Sequence, residues 1–138
     1  MSDLLIMSDT LNKSILFVED EAAQREPLVE MLSGSGFTVF QAPDGKQGLE
    51  IAIKEHPDLI LLDLIMPEMD GVSFMRTLRR DNWGANVPLI MFTNVSPDTE
   101  NTIKTINEFK PSFYLTKGDL TLDEIVLKIK EVLDIPSH

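Results

Sequence analysis

Carboxylates follow two short apolar runs of this sequence. An acidic triplet, Glu19 to Glu21, comes directly after the run Ile15–Val18. Asp63 comes directly after the run Leu59–Leu62. Such apolar runs are typical of strands buried in a parallel sheet, and ligands bind these sheets beyond the carboxyl ends of the strands. Since carboxylate oxygens suit a hard cation and can act as nucleophiles, we expect Asp20 and Asp63 to meet in a metal site that contains a candidate nucleophile.

Strand patterns alternate with helical patterns along most of the chain. The predicted strands are Ile15–Val18, Thr38–Ala42, Leu59–Leu62, Leu89–Phe92 and Phe113–Thr116. The predicted helices are Ala22–Ser33, Lys46–Lys54, Val72–Arg80, Pro97–Phe109 and Leu122–Leu133. This regular alternation predicts a doubly wound α/β fold, with a five-stranded parallel sheet and right-handed crossovers.

Three features mark helix ends or interruptions. Thr121 with Glu124 predicts a capping box at the start of the last helix. Ser96 is expected to cap the fourth helix, with Pro97 at its first position. Pro27 lacks a backbone N–H and should bend the first helix, unless that helix begins later than predicted.

The composition is that of an ordinary globular domain. The 138 residues are 43% apolar, which fits one domain able to bury about two-thirds of its unfolded surface. There is no cysteine, and no apolar run is long enough to span a membrane, so we expect a cytoplasmic protein without a disulfide or a thiolate metal site. A net charge of −11 argues against direct nucleic-acid binding, which requires cationic side chains to neutralise phosphates.

The N-terminal segment, residues 1–13, is predicted to be a flexible tail before a domain that covers residues 14–138. Its apolar run Leu4–Met7 is too short for a signal peptide and has no basic region before it. Met7 is a second candidate for the start of the chain.

Four motifs lie in one order along the sequence: Ile15–Glu21, Asp63–Gly71, Thr93–Asn94 and Tyr114–Lys117. Together they resemble the receiver domain of two-component response regulators, and the resemblance covers Ser14 to about Asp134. It implies a flavodoxin-like (βα)5 fold with strand order 2-1-3-4-5. It also implies a switch that a histidine kinase or phosphotransfer protein phosphorylates on an aspartate.

The resemblance also implies how the signal leaves the domain. Because the chain stops after the fifth predicted helix, we expect a single-domain regulator without its own output domain. Its downstream protein target is then expected on the face from helix 4 to helix 5. The domain would assist its own phosphorylation and dephosphorylation, but it would not be an enzyme with external substrates.

A Mg²⁺ site is implied by the same resemblance, with Asp63 as the phosphoacceptor. Asp20, Asp63 and the backbone carbonyl of Ile65 would bind the ion directly, and Glu19 would hold a coordinated water. Glu21 is expected only to cap the helix that follows it.

The phosphoryl-binding and switch residues follow from the resemblance too. Lys117 would pair with one phosphoryl oxygen, while the Thr93 hydroxyl and the Asn94 backbone N–H would bind the others. Thr93 and Tyr114 match the family's switch residues. For Tyr114 the alternative is a half-buried sheet residue with a hydrogen-bonded hydroxyl.

Several positions depart from the family pattern. The family's lysine usually precedes a proline in a cis peptide, whereas Lys117 precedes Gly118; either glycine permits a trans path or the bond is strained. Lys110–Pro111 replaces a customary Gly-Ala pair, so the end of the fourth helix should differ. Ile65 and Val95 are apolar at positions where the family varies and tunes the loss of the phosphoryl group.

Three other classes of protein remain as alternatives. An aspartyl phosphatase of the haloacid dehalogenase type carries a second Asp two residues after its nucleophile, where this chain has Ile65. A flavodoxin-like cofactor binder needs a phosphate-binding loop after the first strand, where the acidic triplet would repel phosphate. A receiver-like interaction module that is never phosphorylated requires that Gly118 misplace Lys117.

Overall fold

Each apolar run predicted as a strand forms one, and each is followed by a helix. The computed structural model describes residues 13–66, 69–95 and 100–135. Within them the strands are β1 Ser14–Val18, β2 Thr38–Ala42, β3 Leu59–Leu62, β4 Leu89–Thr93 and β5 Phe113–Thr116. The helices are α1 Ala22–Gly34, α2 Gly45–Glu55, α3 Gly71–Arg80, α4 Glu100–Phe109 and α5 Leu122–Val132. The predicted ends that fall within the described residues are therefore correct to within one residue.

The five described strands form one parallel sheet in the order β2-β1-β3-β4-β5, as predicted. From β1 the chain first adds β2 on one side of the sheet and then adds β3 on the other side. At this reversal of strand order, a crevice opens between the carboxyl ends of β1 and β3. Val18 is in register with Leu62, so the residues that follow these two strands emerge side by side.

Apolar layers cover both faces of the sheet. On one face, Leu16 and Val18 of β1 pack with Phe74 and Leu78 of α3. On the other face, residues including Ile15 and Phe17 pack with Leu28 and Leu32 of α1 and with Ile125 and Ile129 of α5. β1 and β3 are central, and β3 is buried along its whole length, which explains its unbroken apolar sequence.

Side-chain caps hold the start of several helices. Asp44 and Asp70 each accept a hydrogen bond from the backbone N–H three residues ahead, at the starts of α2 and α3. The capping box of Thr121 and Glu124 is confirmed at the start of α5. Ser96 and Pro97, the predicted start of the fourth helix, lie outside the described residues, as do residues 1–12 of the predicted tail.

Two helices contain backbone features that the sequence indicated. α1 begins at Ala22 with Pro27 inside it, so the alternative of a later start is wrong. α4 ends at Phe109, and the next residue, Lys110, has a left-handed φ of 47° and an N–H that donates to the Ile106 carbonyl oxygen over 2.9 Å. Glycine would adopt this conformation without the cost of about 1 kcal/mol that a side chain brings. Among the described helices, none combines the length and apolarity needed to cross a bilayer.

Candidate active site

A cleft of about 280 Å³ lies at the carboxyl ends of the central strands. It brings together residues from four segments of the chain, each of which belongs to one of the motifs identified in the sequence. They are Asp20, Glu21, Asp63, Ile65, Thr93, Asn94 and Lys117.

Asp63 is held at the end of β3 by its own backbone. Its N–H donates to the Val18 carbonyl oxygen over 3.2 Å, which continues the pairing of β3 with β1. Asp63 is 6% exposed, and its Oδ1 accepts a hydrogen bond of 3.3 Å from the Ile65 N–H. The candidate nucleophile is therefore fixed in direction, with Oδ2 turned towards Lys117.

Lys117 reaches Asp63 from the opposite side of the cleft. Its N–H donates to the Thr93 carbonyl oxygen over 2.7 Å, so the end of β5 is tied to the end of β4. Its Nζ lies 3.1 Å from Asp63 Oδ2. Every described peptide bond is trans, and Gly118 has a φ of 90°. Glycine thus permits a trans path that keeps Lys117 in the site, which answers the question raised by the missing proline.

Glu19 forms the second ion pair of Lys117. The Glu19 side chain is fully buried, its Oε2 accepts a hydrogen bond from Lys117 Nζ, and its Oε1 accepts one of 3.2 Å from the Glu21 N–H. Burial raises the pKa of Glu19 above its usual value, and the hydrogen bond from Lys117 opposes this shift without cancelling it. Burial lowers the pKa of Lys117, but the hydrogen bond from Glu19 and the nearby carboxylates outweigh it, and the pKa is raised overall. Lys117 is therefore charged at neutral pH.

The acidic triplet offers oxygen ligands to a cation. Carboxylate oxygens of Glu19, Asp20 and Glu21 lie within 4.8 Å of one another, and Asp20 also lines the cleft with Asp63 and Ile65. Hard oxygen ligands of this kind fit Mg²⁺. The role expected for Glu21 needs correction, because it is the N-cap residue of α1 but its side chain makes no capping hydrogen bond.

Thr93 and Tyr114 are linked through Val95. Thr93 is fully buried at the end of β4, and its hydroxyl oxygen accepts a hydrogen bond of 3.4 Å from the Val95 N–H. The Tyr114 hydroxyl donates to the Val95 carbonyl oxygen over 2.7 Å. A displacement of Thr93 would therefore reach Tyr114 through one residue. Since Tyr114 is also a half-buried sheet residue with a bonded hydroxyl, its switch role stays a prediction.

Two residues of α1 belong to the site but were missed. Gln24 accepts a hydrogen bond of 2.7 Å from Lys117 Nζ, and its own amide nitrogen donates to Glu21 Oε2 over 2.9 Å. Arg25 donates to the Glu19 carbonyl oxygen and fixes the backbone of the triplet. The available signal was that Gln24 lies three residues after Glu21 on a helix, where side chains are neighbours.

The match to known families agrees with this geometry. Residues 15–130 match the family described as response regulator receiver domain. The chain belongs to this family. Receiver domains act in phosphorylation signalling, as modules that are typically not enzymes in their own right.

Curated relatives of the receiver are longer proteins. The phosphate regulon transcriptional regulatory protein PhoB of Pseudomonas aeruginosa is 33% identical over 123 residues, which cover 89% of this chain and 52% of PhoB. The DNA-binding response regulator MtrA of Mycobacterium tuberculosis H37Rv is 34% identical over 146 aligned positions, covering 94% of this chain and 62% of MtrA. The chain thus spans about half the length of the curated relatives it matches.

Solved receiver structures share the fold. The chemotaxis response regulator CheY4 of Vibrio cholerae is 25% identical with a TM-score of 0.78, over 87% of this chain and 98% of CheY4. The receiver domain of the sensor histidine kinase PA1611 of Pseudomonas aeruginosa PAO1 is 26% identical with a TM-score of 0.78, over 88% of this chain and 98% of that domain. That structure has a magnesium ion coordinated in its active site cleft. The predicted fold and family are confirmed.

Proposed function

We propose that this receiver domain accepts a phosphoryl group on Asp63 from a histidine kinase or phosphotransfer protein. One observation carries most of the proposal: the Lys117 ammonium lies 3.1 Å from the Asp63 carboxylate, inside a cleft that acidic side chains also line. A nucleophile beside a fixed cation is what phosphoryl transfer to a carboxylate requires.

The chemistry uses four groups of this chain around the phosphorus atom. An Asp63 oxygen attacks the phosphorus atom, the P–N bond to the donor histidine breaks, and the leaving imidazole takes up a proton. Negative charge on the equatorial oxygens is met by the Lys117 ammonium, the Thr93 hydroxyl and the Asn94 backbone N–H. The Thr93 hydroxyl oxygen accepts a hydrogen bond from the Val95 N–H, and a hydroxyl that accepts can still donate its own proton to a phosphoryl oxygen.

Mg²⁺ belongs to the same proposal. Asp20, Asp63 and the Ile65 carbonyl would bind it, with Glu19 acting through a water. When bound, the ion neutralises charge on the phosphoryl oxygens. The ion in the related PA1611 receiver supports this assignment.

Output is proposed to pass through protein contact on the face from α4 to α5. Tyr114 of β5 lies on the route, because its hydroxyl is bonded to the loop that carries Val95. Ile103 of α4 and Leu127 of α5 expose 47% and 51% of their surface. The single-domain state stays a prediction, since the curated relatives are longer and several are named as transcriptional regulators. The cytoplasmic location also stays a prediction.

The geometry disfavours the alternatives. An interaction module that is never phosphorylated required a misplaced Lys117, yet Lys117 contacts Asp63. An aspartyl phosphatase needs a second carboxylate two residues after the nucleophile, and Ile65 presents an apolar side chain there, 66% exposed. A cofactor binder would have to seat phosphate against the acidic triplet.

The direct test is incubation with acetyl phosphate, followed by intact-mass spectrometry. The parent should gain one phosphoryl group that hydroxylamine removes, and only when Mg²⁺ is present. Asp63→Asn should gain none, and Lys117→Ala should stay folded but give a weaker response to phosphorylation. Equal labelling of the parent and Asp63→Asn would overturn the proposal.

A further inference from the structure

The Lys117 ammonium has no free donor in this structure. An ammonium group carries three N–H donors, and Lys117 Nζ donates to Glu19, to Asp63 over 3.1 Å and to Gln24 over 2.7 Å. The Phe92 ring lies 5.8 Å away on a further side. A phosphoryl oxygen can therefore bind Lys117 only if one of these three acceptors is released.

The three acceptors are not equally easy to release. Glu19 is a fully buried carboxylate whose charge Lys117 neutralises, so its release would leave a buried charge unpaired. Asp63 can keep its Oδ2 contact with Lys117 when the phosphoryl group is carried on Oδ1. Gln24 is neutral and half-buried at the start of α1, and hydrogen bonds to neutral acceptors are weaker than those to carboxylates.

We propose that Gln24 is a positioning residue that holds Lys117 in its unphosphorylated arrangement and releases it when a phosphoryl oxygen arrives. The Gln24 side chain is oriented for this task, because its amide nitrogen donates to Glu21 over 2.9 Å and its amide oxygen faces Lys117. The inference rests on the proposed function of the Asp63 site.

Linkage gives the direction of the effect. A contact made only in the unphosphorylated state stabilises that state and so lowers the affinity of the site for a phosphoryl group. Gln24 therefore restrains phosphorylation rather than assisting it. Removal of the Gln24 amide should strengthen binding of a phosphoryl group, because it removes a hydrogen bond that stabilises only the unphosphorylated protein.

The experiment measures binding of beryllofluoride, a phosphoryl mimic, with Mg²⁺ by calorimetry. Gln24→Leu keeps a similar shape but cannot accept a hydrogen bond, and it should bind beryllofluoride about threefold to tenfold more tightly than the parent. Gln24→Glu keeps the acceptor and adds charge, so it should bind about threefold to tenfold more weakly.

The chain offers a matched control in Gln47. It lies in the first turn of α2, and its amide nitrogen donates to Asp44 three residues before it, as Gln24 does to Glu21. Gln47→Leu should leave beryllofluoride affinity unchanged. Melting temperature without Mg²⁺ is the second readout, because Gln24→Leu should melt slightly below the parent while binding more tightly. If Gln24 had a merely structural role, Gln24→Leu would lower both the melting temperature and the affinity for beryllofluoride.

The outcomes separate this inference from the proposed function. If the parent binds no beryllofluoride, the proposed function fails and the inference fails with it. If the parent binds it and Gln24→Leu binds equally or more weakly, only the role of Gln24 is overturned. Tighter binding by Gln24→Leu together with weaker binding by Gln24→Glu supports the inference.

Discussion

Within the described part of the chain, Lys117 forms ion pairs with two buried carboxylates. Glu19 is fully buried and Asp63 is 6% exposed, and both contact Lys117 Nζ. Lys117→Met should therefore lower the free energy of unfolding by about 3 kcal/mol near neutral pH without Mg²⁺, as expected when one partner of a buried pair is removed. Urea denaturation measures this. Lys128→Met is the control, because the Lys128 side chain is 40% exposed and pairs with Glu131 at the surface of α5, so its loss should cost little.

The loss of unfolding free energy caused by Lys117→Met should also depend on pH. Burial already raises the pKa of Glu19, and loss of the opposing hydrogen bond from Lys117 should raise it further. A carboxyl group whose folded pKa exceeds its unfolded pKa binds a proton on folding, so the variant gains stability as pH falls towards about 5. In the parent, the raised pKa of Lys117 keeps this side chain charged at neutral pH. Its contribution to the free energy of unfolding is therefore lost only at alkaline pH. A penalty that stays constant from neutral pH to about pH 5 would contradict this coupling.

Ile65 and Val95 are predicted to slow loss of the phosphoryl group. Ile65 lines the cleft and is 66% exposed, whereas Val95 packs against the core and is not among the described residues that line the cleft. Replacing Ile65 with Asn and Val95 with Glu should speed dephosphorylation about tenfold, because polar groups can hold the attacking water. Ile65→Asn alone should give most of this change.

The measurement is decay of the phosphorylated protein after removal of the donor, with all variants in the same Mg²⁺ buffer. Equal decay of the parent and the double variant would show that neither position faces the attacking water. A larger effect of Val95→Glu alone would mean that the loop after β4 turns further into the cleft than this structure shows.

The residues of the site differ in how far the sequence could reveal them. Asp63, Thr93 and Lys117 could be predicted because each ends or follows a strand and belongs to a motif. Gln24 could not, since its bond to Lys117 joins residues 93 positions apart and depends on how the fold brings α1 to the residue that follows β5. The burial of Glu19 could not be predicted either, because an acidic residue after a strand is usually exposed.

At the scale of elements, Gly71 sets the distance between α3 and the loop that carries Asp63. A Cβ at Gly71 would lie 2.8 Å from the Asp63 carbonyl oxygen and 2.8 Å from Leu64 Cα. These are backbone atoms, so Gly71→Ala must displace the loop. We expect a loss of about 1 to 3 kcal/mol in the free energy of unfolding and slower labelling by acetyl phosphate.

Gly34 provides the matched control for this substitution. A Cβ there would meet nothing within 4 Å, and Gly34 ends α1 far from any clash. Gly34→Ala should therefore be neutral or stabilising by up to about 1 kcal/mol and should label like the parent. If the two alanine variants show equal stability and equal labelling, α3 does not constrain the loop of Asp63.

The elements themselves were largely predictable. The unbroken apolar runs of β1 and β3 identify buried parallel strands, and the capping box identifies the start of α5. The path through Gly118 was left open, because a glycine after Lys117 allows several backbone conformations and the choice depends on tertiary contacts. The place of Pro27 was ambiguous, since packing of α1 can override the local cost of a proline.

At the scale of the whole molecule, a net charge of −11 and the clustered acids should make the fold sensitive to Mg²⁺. Two carboxylates about 5 Å apart repel by about 3 kcal/mol at an effective dielectric near 20. A bound cation relieves this repulsion, so the melting temperature should rise with millimolar Mg²⁺ and keep rising with concentration. Differential scanning fluorimetry measures the shift.

Two variants locate the origin of that shift. Asp20→Ala should abolish it, because it removes a direct ligand. Asp44→Ala removes an acid that caps α2 and should lower the melting temperature while keeping the Mg²⁺ response. If the parent shows no response, or if Asp20→Ala responds as the parent does, the metal assignment is wrong.

The most direct test of the central claim is to find which residue carries the phosphoryl group. After labelling with acetyl phosphate and Mg²⁺, borohydride reduces an aspartyl phosphate to homoserine, and peptide mass spectrometry locates the converted residue. We expect homoserine at position 63 and at no other aspartate, with no conversion in Asp63→Asn. Conversion at Asp20 or elsewhere, or none in a parent that gains mass, would contradict the assignment of Asp63 as the phosphoacceptor.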